Sequence, residues 1–329
     1  MDDVTPALHQ TDEDVRQLGW TAFFEDQLNS AETELARLRI DAVHRRRLTG
    51  LWQNRQVEIE LPPHTNTGDV AVGDWVLADP GSFLLHRRLD RRTLLQRGAE
   101  GKKPSQLVAA NVDTLFIVAS CNTDFNLARL ERYLAFANNA GTEPVIVLTK
   151  ADLAEDASTF EQLASRLQRG LAVVLLNARL AEAAKALQPW CGPGLTVALV
   201  GSSGVGKSTL VNTLVGANRG EQQQTGEVRE GDAKGRHTTT SRSLHAMASG
   251  GWVIDTPGVR SLHLNNVGAG IDTLFAEITE LTPKCKFRNC SHDHEPGCAV
   301  LSAVPAGTLD PDRLERWRKL QAESRGGAA

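Results

Sequence analysis

The sequence of 329 residues has no apolar run approaching the roughly 18 residues that a membrane-spanning helix needs. Its N-terminus, MDDVTPALHQTDEDV, is acidic and lacks the basic and then apolar segments of a secretory signal. We also find no internal repeat and no long low-complexity linker. We therefore expect a soluble, cytoplasmic protein without a membrane partner, whose 41% apolar residues can build the cores of two or three domains.

Basic residues are not in excess, because the net charge is -4 and the pI is about 6.2. This balance excludes a uniformly basic coat for nucleic acid. Basic residues nevertheless cluster locally, at Arg45, Arg46 and Arg47, at Arg87, Arg88, Arg91, Arg92 and Arg97, and at Lys102 and Lys103.

Cysteine is scarce, and the five cysteines of a cytosolic chain are more often thiols or metal ligands than disulfides. Three of them crowd into CKFRNCSHDHEPGC. Cys285, Cys290, His292 and Cys298 form a Cys-x4-Cys-x-His-x5-Cys set, which has the ligand types and number of a closed, structural, four-coordinate zinc site. The spacing also allows His294 in place of His292. We expect one structural zinc ion here.

The first third of the chain predicts an extension followed by a barrel. The stretch AETELARLRI spaces Leu35, Leu38 and Ile40 near the helical period, so we predict mixed helix over residues 14–40, within a peripheral extension of residues 1–40. Short alternating runs broken by Gly and Pro then predict a β-barrel like the oligonucleotide-binding (OB) fold over residues 41–103. The basic residues of this barrel fit RNA binding or, equally, the solvated rim of a structural barrel.

Residues 104–262 have the rhythm of an α/β domain with a mostly parallel sheet, because apolar strands alternate with amphipathic helices. The strand LTVALV leads directly into GSSGVGKST, and a helix follows, which is the context of a phosphate-binding P-loop. Lys207 would supply a cation to the β and γ phosphates, and Ser208 a hydroxyl to magnesium. The predicted phosphate-binding residues are Gly201, Ser202, Ser203, Gly204, Val205, Gly206, Lys207, Ser208 and Thr209.

The base is predicted from TKAD, which consists of Thr149, Lys150, Ala151 and Asp152 and ends another apolar strand. The Asp152 carboxylate can accept two hydrogen bonds from the N1-H and N2-H edge of guanine, whereas adenine has no matching pair of donors. GTP is therefore favoured over ATP. A third motif, WVIDTPG, places Asp255 where it can hold magnesium through water and the Gly258 N–H where it can contact the γ-phosphate.

The order of these motifs is reversed relative to a conventional GTPase, in which the guanine loop follows the phosphate loop. Here Asp152 precedes Lys207 and Asp255. Cutting a conventional chain after its Asp-x-x-Gly strand and joining its ends produces this order, and pairing and burial, rather than chain order, set strand positions. We predict a circularly permuted P-loop GTPase domain followed by a helical zinc-binding domain over residues 263–329, which is coupled to the nucleotide state.

Five features occur together: the permuted motif order, GSSGVGKST, GRHTTT at residues 235–240, DTPGVR and the Cys-Cys-His-Cys set. In these features the sequence resembles the RsgA family, which are circularly permuted GTPases of small ribosomal subunit biogenesis. The resemblance implies an OB-like barrel, a permuted GTPase and a zinc domain. It also implies slow intrinsic GTP hydrolysis, stimulation by the small subunit and release on hydrolysis. By this resemblance Thr149, Lys150 and Asp152 hold guanine, although Thr149 replaces the more usual Asn, and Asn177 and Ala178 replace a Ser-Ala pair that supports the base.

Catalysis is predicted less directly than binding. Val259 follows DTPG, where Ras-like enzymes place the glutamine that orients the attacking water; valine cannot hydrogen-bond, so slow hydrolysis in isolation is expected. His237 is a candidate to position this water, or else a residue that packs or binds ribosomal RNA. Thr239, within Thr238–Thr240, is expected to reach magnesium, and Lys207 completes the predicted catalytic set.

Two other functions compete with a ribosome-stimulated GTPase. One is an RNA-binding assembly module that binds GTP with negligible turnover, and the other is an ATP-using enzyme, which would tolerate adenine. The partners expected for the favoured function are the small ribosomal subunit and its rRNA, together with GTP and GDP. We expect the protein itself to be a monomer.

Overall fold

The computed structural model describes residues 10–53, 55–98, 105–216, 243–255 and 267–326. The helices are α1 (Asp12–Gln17), α2 (Ala22–Glu25), α3 (Leu127–Ala140), α4 (Ala157–Ser165), α5 (Glu182–Ala186), α6 (Lys207–Val215), α7 (Gly268–Leu274), α8 (Ala276–Thr279), α9 (Ala299–Ala303) and α10 (Pro311–Gly326). The strands are β1 (Ala36–Val43), β2 (Leu48–Trp52), β3 (Arg55–Ile59), β4 (Trp75–Ala78), β5 (Leu85–Arg88), β6 (Leu94–Arg97), β7 (Gln106–Ala110), β8 (Thr114–Ser120), β9 (Glu143–Thr149), β10 (Ala172–Leu175), β11 (Thr196–Val200), β12 (Ser243–Ala246) and β13 (Trp252–Asp255).

A mostly parallel sheet forms the centre of the molecule, in the order β10-β9-β8-β11-β13, with β12 antiparallel beside β13. Strand β8 is buried along its whole length, and its side chains alternate between two cores. Leu115 and Ile117 face one core, and Phe116 and Val118 face the other. An unbroken apolar run of this kind is typical of a parallel strand that is covered on both faces. The predicted α/β domain is confirmed.

Strand order in space differs from strand order in the chain. The sheet places β9, which precedes TKAD, next to β8, then β11 and then β13. Because these four strands are parallel, their carboxyl ends lie along one edge, where ligands bind in open α/β sheets. The loops that follow β9 and β11, and Asp255 at the end of β13, therefore lie along one edge although they are far apart in sequence.

Strands β1 to β5 form an antiparallel barrel in the order β3-β2-β1-β4-β5. A bridge between Glu60 and Leu84 joins the two outer strands, and the interior contains Leu38, Ile40 and Trp52. Strand β1 also pairs with β12, through Ala42 and Ser243, so that the barrel and the central sheet are continuous. The predicted barrel is thus confirmed, and it contacts the central sheet through β12, beside β13.

The prediction of helix up to residue 40 is wrong, because residues 36–43 form β1. Ala36, Leu38 and Ile40 alternate along the strand and all three are buried. Apolar residues at positions 35, 38 and 40 fit a helical face, but positions 36, 38 and 40 also fit a strand face, and pairing with β2 and β4 decides between them. The predicted domain boundary at residue 40 falls inside this strand; the other boundaries stay predictions.

The segment before β1 is not peripheral, contrary to expectation. Leu18 and Phe24 are buried in the same core as Trp75 of β4. Arg39 of β1, only 1% exposed, donates from Nη1 to the Leu18 carbonyl and from Nη2 to Thr196 Oγ1 at 2.6 Å. Burial lowers the pKa of Arg39 to about 10, so it is still a cation at neutral pH. This one side chain joins the N-terminal segment, the barrel and the strand that precedes the phosphate loop.

The C-terminal helices pack against α3 of the central domain. A Cβ atom at Gly270 of α7 would lie 2.0 Å from the Ala135 carbonyl oxygen, so only glycine permits this approach. Beside it, Glu131 of α3 is completely buried and accepts hydrogen bonds from Arg313 at 2.8 Å and Arg316 at 2.9 Å, both on α10. A buried carboxylate requires such partners, so this cluster fixes α10 against α3.

Candidate functional site

The phosphate loop connects β11 to α6, and its glycines are required by the backbone. Gly201 has φ +144°, and a Cβ atom there would lie 2.2 Å from the Val118 carbonyl oxygen. Gly206 has φ +97° and immediately precedes α6. The N-terminus of α6 therefore follows directly on the loop, and the N–H groups and helix dipole at such a helix start favour a phosphate.

Lys207, the first residue of α6, folds back over this loop. Its Nζ donates to the carbonyl oxygens of Gly201 at 2.9 Å and Ser202 at 2.5 Å. These two contacts hold the ammonium against the main chain of the loop. Ser208 is exposed next to it, so its hydroxyl is accessible to a magnesium ion.

Thr149 connects the predicted guanine loop to the phosphate loop. Its side chain is 1% exposed, and its hydroxyl lies 2.6 Å from the Val205 carbonyl oxygen and 3.1 Å from that of Ala119. The hydroxyl has one proton, which it donates to the nearer carbonyl. The Thr149 hydroxyl thus connects the two loops and is not directed at a base. The short side chain is long enough for this contact.

Residues at the end of β9 and after β10 and β11 meet around Gly206. A Cβ atom at Gly206 would lie 3.7 Å from Thr149 Oγ1 and 3.8 Å from the Cβ of Ala178. Asp152 lies two residues after Lys150, which has a φ of +56°. The Asp152 carboxylate is exposed. Ala178 is held in turn by Thr213 of α6, which donates to its carbonyl oxygen at 2.7 Å. The permuted chain therefore brings the loop that contains TKAD into contact with the phosphate loop.

Asp255 ends β13, two residues beyond the Val253 that pairs with Val197 of β11. It is 9% exposed, at the same sheet edge as the phosphate loop. Four residues that the sequence singles out, namely His237, Thr239, Gly258 and Val259, lie outside the described residues.

The cysteine and histidine residues of the C-terminal region form one cluster. The ligand atoms of Cys285, Cys290, His292 and Cys298 all lie within 4.8 Å of one another. The sulfurs of Cys285 and Cys298 are 3.8 Å apart, and His292 Nδ1 lies 3.5 and 3.4 Å from them. Tetrahedral zinc with metal–sulfur bonds of about 2.3 Å would place its sulfurs about 3.8 Å apart. The donor set and its spacing fit one zinc ion.

Only one of the two candidate histidines belongs to this cluster. The His294 side chain is 83% exposed and lies beside Asp293, whereas His292 is buried. Burial lowers the pKa of His292, which favours the neutral imidazole that binds metals. Helix α10 covers the cluster, since the Trp317 ring centroid lies 5.7 Å from that of His292.

The basic clusters seen in the sequence differ in their surroundings. In the second cluster Arg87 pairs with Glu32 at 2.6 Å and Arg91 with Asp74 at 2.7 Å, and Arg92 contacts Asp113. These ion pairs connect the barrel region to itself through Asp74, to the N-terminal segment through Glu32 and to the start of β8 through Asp113. In the first cluster, Arg45, Arg46 and Arg47 are all exposed in the turn between β1 and β2. Lys102 and Lys103 lie outside the described residues.

Sequence reasoning overlooked two side chains on α3. Arg129 contacts Ser202 of the phosphate loop, and Glu131 binds α10. No local pattern marks them, because their partners lie far along the chain.

Among the helices that the structure describes, none combines the length and the apolar composition needed to cross a bilayer.

A phosphate loop on a mostly parallel sheet, with the base-side loop preceding it in the chain, defines a circularly permuted P-loop GTPase. A family model described as RsgA GTPase matches residues 88–265. A Mesorhizobium japonicum protein named small ribosomal subunit biogenesis GTPase RsgA is 65% identical over 307 residues, which cover 93% of this chain and 89% of the relative.

Two solved structures share the fold. YjeQ from Thermotoga maritima has a TM-score of 0.66 and 25% identity, and the match covers 89% of this chain and 99% of the other. YloQ, described as a circularly permuted GTPase, has a TM-score of 0.63 and 23% identity, with 91% and 98% covered. The chain belongs to the RsgA GTPase family, whose members are GTP hydrolases.

Proposed function

We propose that this GTPase is a late assembly factor of the small ribosomal subunit, and that GTP hydrolysis to GDP and phosphate drives its release from the subunit. The name of its Mesorhizobium japonicum relative, small ribosomal subunit biogenesis GTPase, motivates the substrate and partner. The observation that carries the proposal is the meeting of the Thr149, Ala178 and Gly206 loops, because it forms one nucleotide site from a permuted chain. This role implies a cytoplasmic protein, and we propose that it acts as a monomer.

In this site Asp152 accepts the N1-H and N2-H groups of guanine, and Lys150 and Ala151 shape the loop around the base. The loop from Gly201 to Thr209 surrounds the phosphates, with Lys207 directed at the β and γ positions. Ser208 and Asp255 would hold a magnesium ion, which would neutralise charge on the phosphates.

The attacking water is held by groups outside the usual glutamine position. Valine at position 259 cannot bind water, so we propose His237 for this role, with Thr239 as a further magnesium contact. We expect hydrolysis to be slow in isolation, because valine at position 259 cannot orient the water, and to be stimulated by the small subunit. Coupling to release then follows, because the segment after Gly258 leads directly into the C-terminal helices.

GTP hydrolysis measured with and without purified small subunits tests the function. We expect strong stimulation that weakens as salt is raised, because contacts to rRNA phosphates release counterions. Unchanged hydrolysis on adding subunits would instead indicate an assembly module that holds GTP with negligible turnover. An excess of ATP should not compete with GTP for the nucleotide site. Competition by ATP would point to an ATP-using enzyme.

We propose that rRNA is bound at two exposed basic surfaces. One is the turn with Arg45, Arg46 and Arg47. The other is the cysteine-cluster loop, where Phe287 is 42% exposed and the Lys286 ammonium lies 5.4 Å from its ring centroid. An exposed aromatic ring between cations can stack on an unpaired base.

Phe287→Ala is expected to weaken binding to the small subunit by about 1–3 kcal/mol, the usual contribution of one stacked base. Binding should be measured by filtration against a salt series, in the presence of a non-hydrolysable GTP analogue. Phe23→Ala is the matched control, because Phe23 is 40% exposed but lies on α2, which belongs to neither basic surface. Equal effects of the two substitutions would contradict a stacking role.

We further propose that Cys285, Cys290, His292 and Cys298 hold one structural zinc ion. Their chemistry supports this, since three thiolates and one neutral imidazole leave no open position for substrate. The ion would order the loop that displays Phe287.

A further inference from the structure

A side chain outside the nucleotide motifs contacts the phosphate loop. Arg129, in the first turn of α3, donates from Nη1 to Ser202 Oγ at 2.5 Å. The main-chain carbonyl of the same serine accepts from Lys207 Nζ at 2.5 Å. Ser202 is therefore held from two directions, by Arg129 through its side chain and by Lys207 through its backbone.

Helix stability does not account for an arginine at this position. Asn126 caps α3, and its side-chain oxygen accepts the Arg129 backbone N–H at 2.9 Å. A cation in the first turn of a helix opposes the helix dipole, at a cost of about 0.3–1 kcal/mol when it is exposed. Residues that break a local preference tend to occur at functional sites. The contact that Arg129 gains in exchange is the one to the phosphate loop.

The next turn of α3 is fixed by the C-terminal helix. Glu131 is bound by Arg313 and Arg316, and Arg132 donates to Glu323 at 2.9 and 2.5 Å. Both ion-pair groups connect α3 to α10. The position of Arg129 over Ser202 therefore depends on how α10 is docked.

We propose that Arg129 is a positioning residue for GTP hydrolysis, which acts through Ser202 on the carbonyl that orients the Lys207 ammonium. Docking of α10 on α3 sets this contact, so α3 connects the C-terminal helices to the phosphate loop. Arg129 touches no reacting atom. The inference rests on the proposed role of Lys207 at the β and γ phosphates, and it predicts a loss in kcat larger than the loss in GDP affinity.

The test compares Arg129→Ala, Arg129→Lys, Ser202→Ala and the Arg129→Ala/Ser202→Ala double variant in the full-length protein, by steady-state GTP hydrolysis and by GDP binding. Loss of one charge-assisted hydrogen bond should lower kcat about fivefold to tenfold in Arg129→Ala. Lysine keeps a cationic donor and should recover most of this loss. The double variant should be no slower than the slower single variant, because both remove the same contact.

Arg166→Ala is the matched control, since it removes an exposed arginine at the end of α4 and should leave kcat unchanged. A kcat for Arg129→Ala within about twofold of wild type, or a double variant whose loss is the product of the two single losses, would overturn the proposal. If the wild type itself hydrolyses no GTP with or without small subunits, the proposed function fails instead.

The contribution of α10 is tested by Glu323→Gln, which removes an exposed partner of Arg132 without disturbing buried Glu131. We expect a reduction in kcat of about twofold in the wild-type background and none in the Arg129→Ala background. A reduction of equal size in both backgrounds, or in neither, would overturn the dependence on α10 docking.

Discussion

Replacing Asp152 by asparagine is expected to weaken GTP binding by about 100-fold or more, which is the largest change in affinity that one side chain of this site should produce. A carboxylate accepts both N–H groups of the guanine edge, and each charge-assisted hydrogen bond contributes about 1.5–3 kcal/mol. Asparagine keeps one acceptor but turns an NH₂ donor toward a donor on the base. One hydrogen bond is thereby lost and the other partner is left facing a like group.

The same substitution should improve binding of xanthosine triphosphate, because xanthine carries a carbonyl oxygen where guanine carries the 2-amino group. Competition between the two nucleotides, measured with a fluorescent GTP analogue, checks both changes. Glu155→Gln is the matched control, since it removes one exposed carboxylate three residues away. If Asp152→Asn keeps the wild-type preference for GTP, Asp152 does not read the base.

Short-range patterns predicted the site because its spacings are local. Gly201 to Thr209 form one loop and turn, and Cys285 to Cys298 form one metal-binding loop, so each motif carries its own geometry. The apolar runs of β8 and β11 likewise predicted buried parallel strands. The order of the three nucleotide motifs then predicted the permutation, because parallel strands place their loops at one edge whatever the chain order.

Long-range contacts could not be predicted in this way. Arg39 and Thr196 are 157 positions apart and Glu131 and Arg313 are 182 positions apart, and nothing in the neighbourhood of either residue indicates its partner. Periodicity also failed where two periods coincide, as in β1. For Thr149 the sequence predicted a position at the end of a strand but not the direction of the side chain, since only the structure shows that its hydroxyl contacts the Val205 carbonyl oxygen.

These long-range contacts have a common arrangement around the nucleotide site. The barrel reaches the phosphate-loop strand through Arg39, and the C-terminal helices reach the phosphate loop through α3 and Arg129. Both routes end at β11 or the loop that follows it. The rRNA-binding surfaces that we propose belong to the barrel and to the C-terminal region, which are the two parts of the chain that these contacts connect to β11 and the phosphate loop.

The second large effect is expected on the zinc content of the purified protein. Purified protein should contain one zinc ion per chain, and His292→Asn should reduce this to a small fraction, because zinc-finger sites bind with about 10–16 kcal/mol and losing a ligand removes much of that energy. His294→Asn is the matched control, since His294 lies two residues away, is 83% exposed and is outside the cluster. Zinc retained by the His292 variant and lost from the His294 variant would reverse the assignment of the ligand.

Removing zinc from the wild type with a chelator should expose three thiols and not five. Burial raises the pKa of Cys121 to about 11 and that of Cys191 to about 12, so both stay protonated and unreactive at neutral pH while the fold holds. Hydrogen exchange should rise over residues 285–298, since most residues of the cluster loop are exposed and have little apolar core around them. Protection of α3 should persist, because the Glu131 contacts to Arg313 and Arg316 do not involve the metal. Five reactive thiols, or loss of protection in α3, would mean that zinc supports the whole domain instead of this loop.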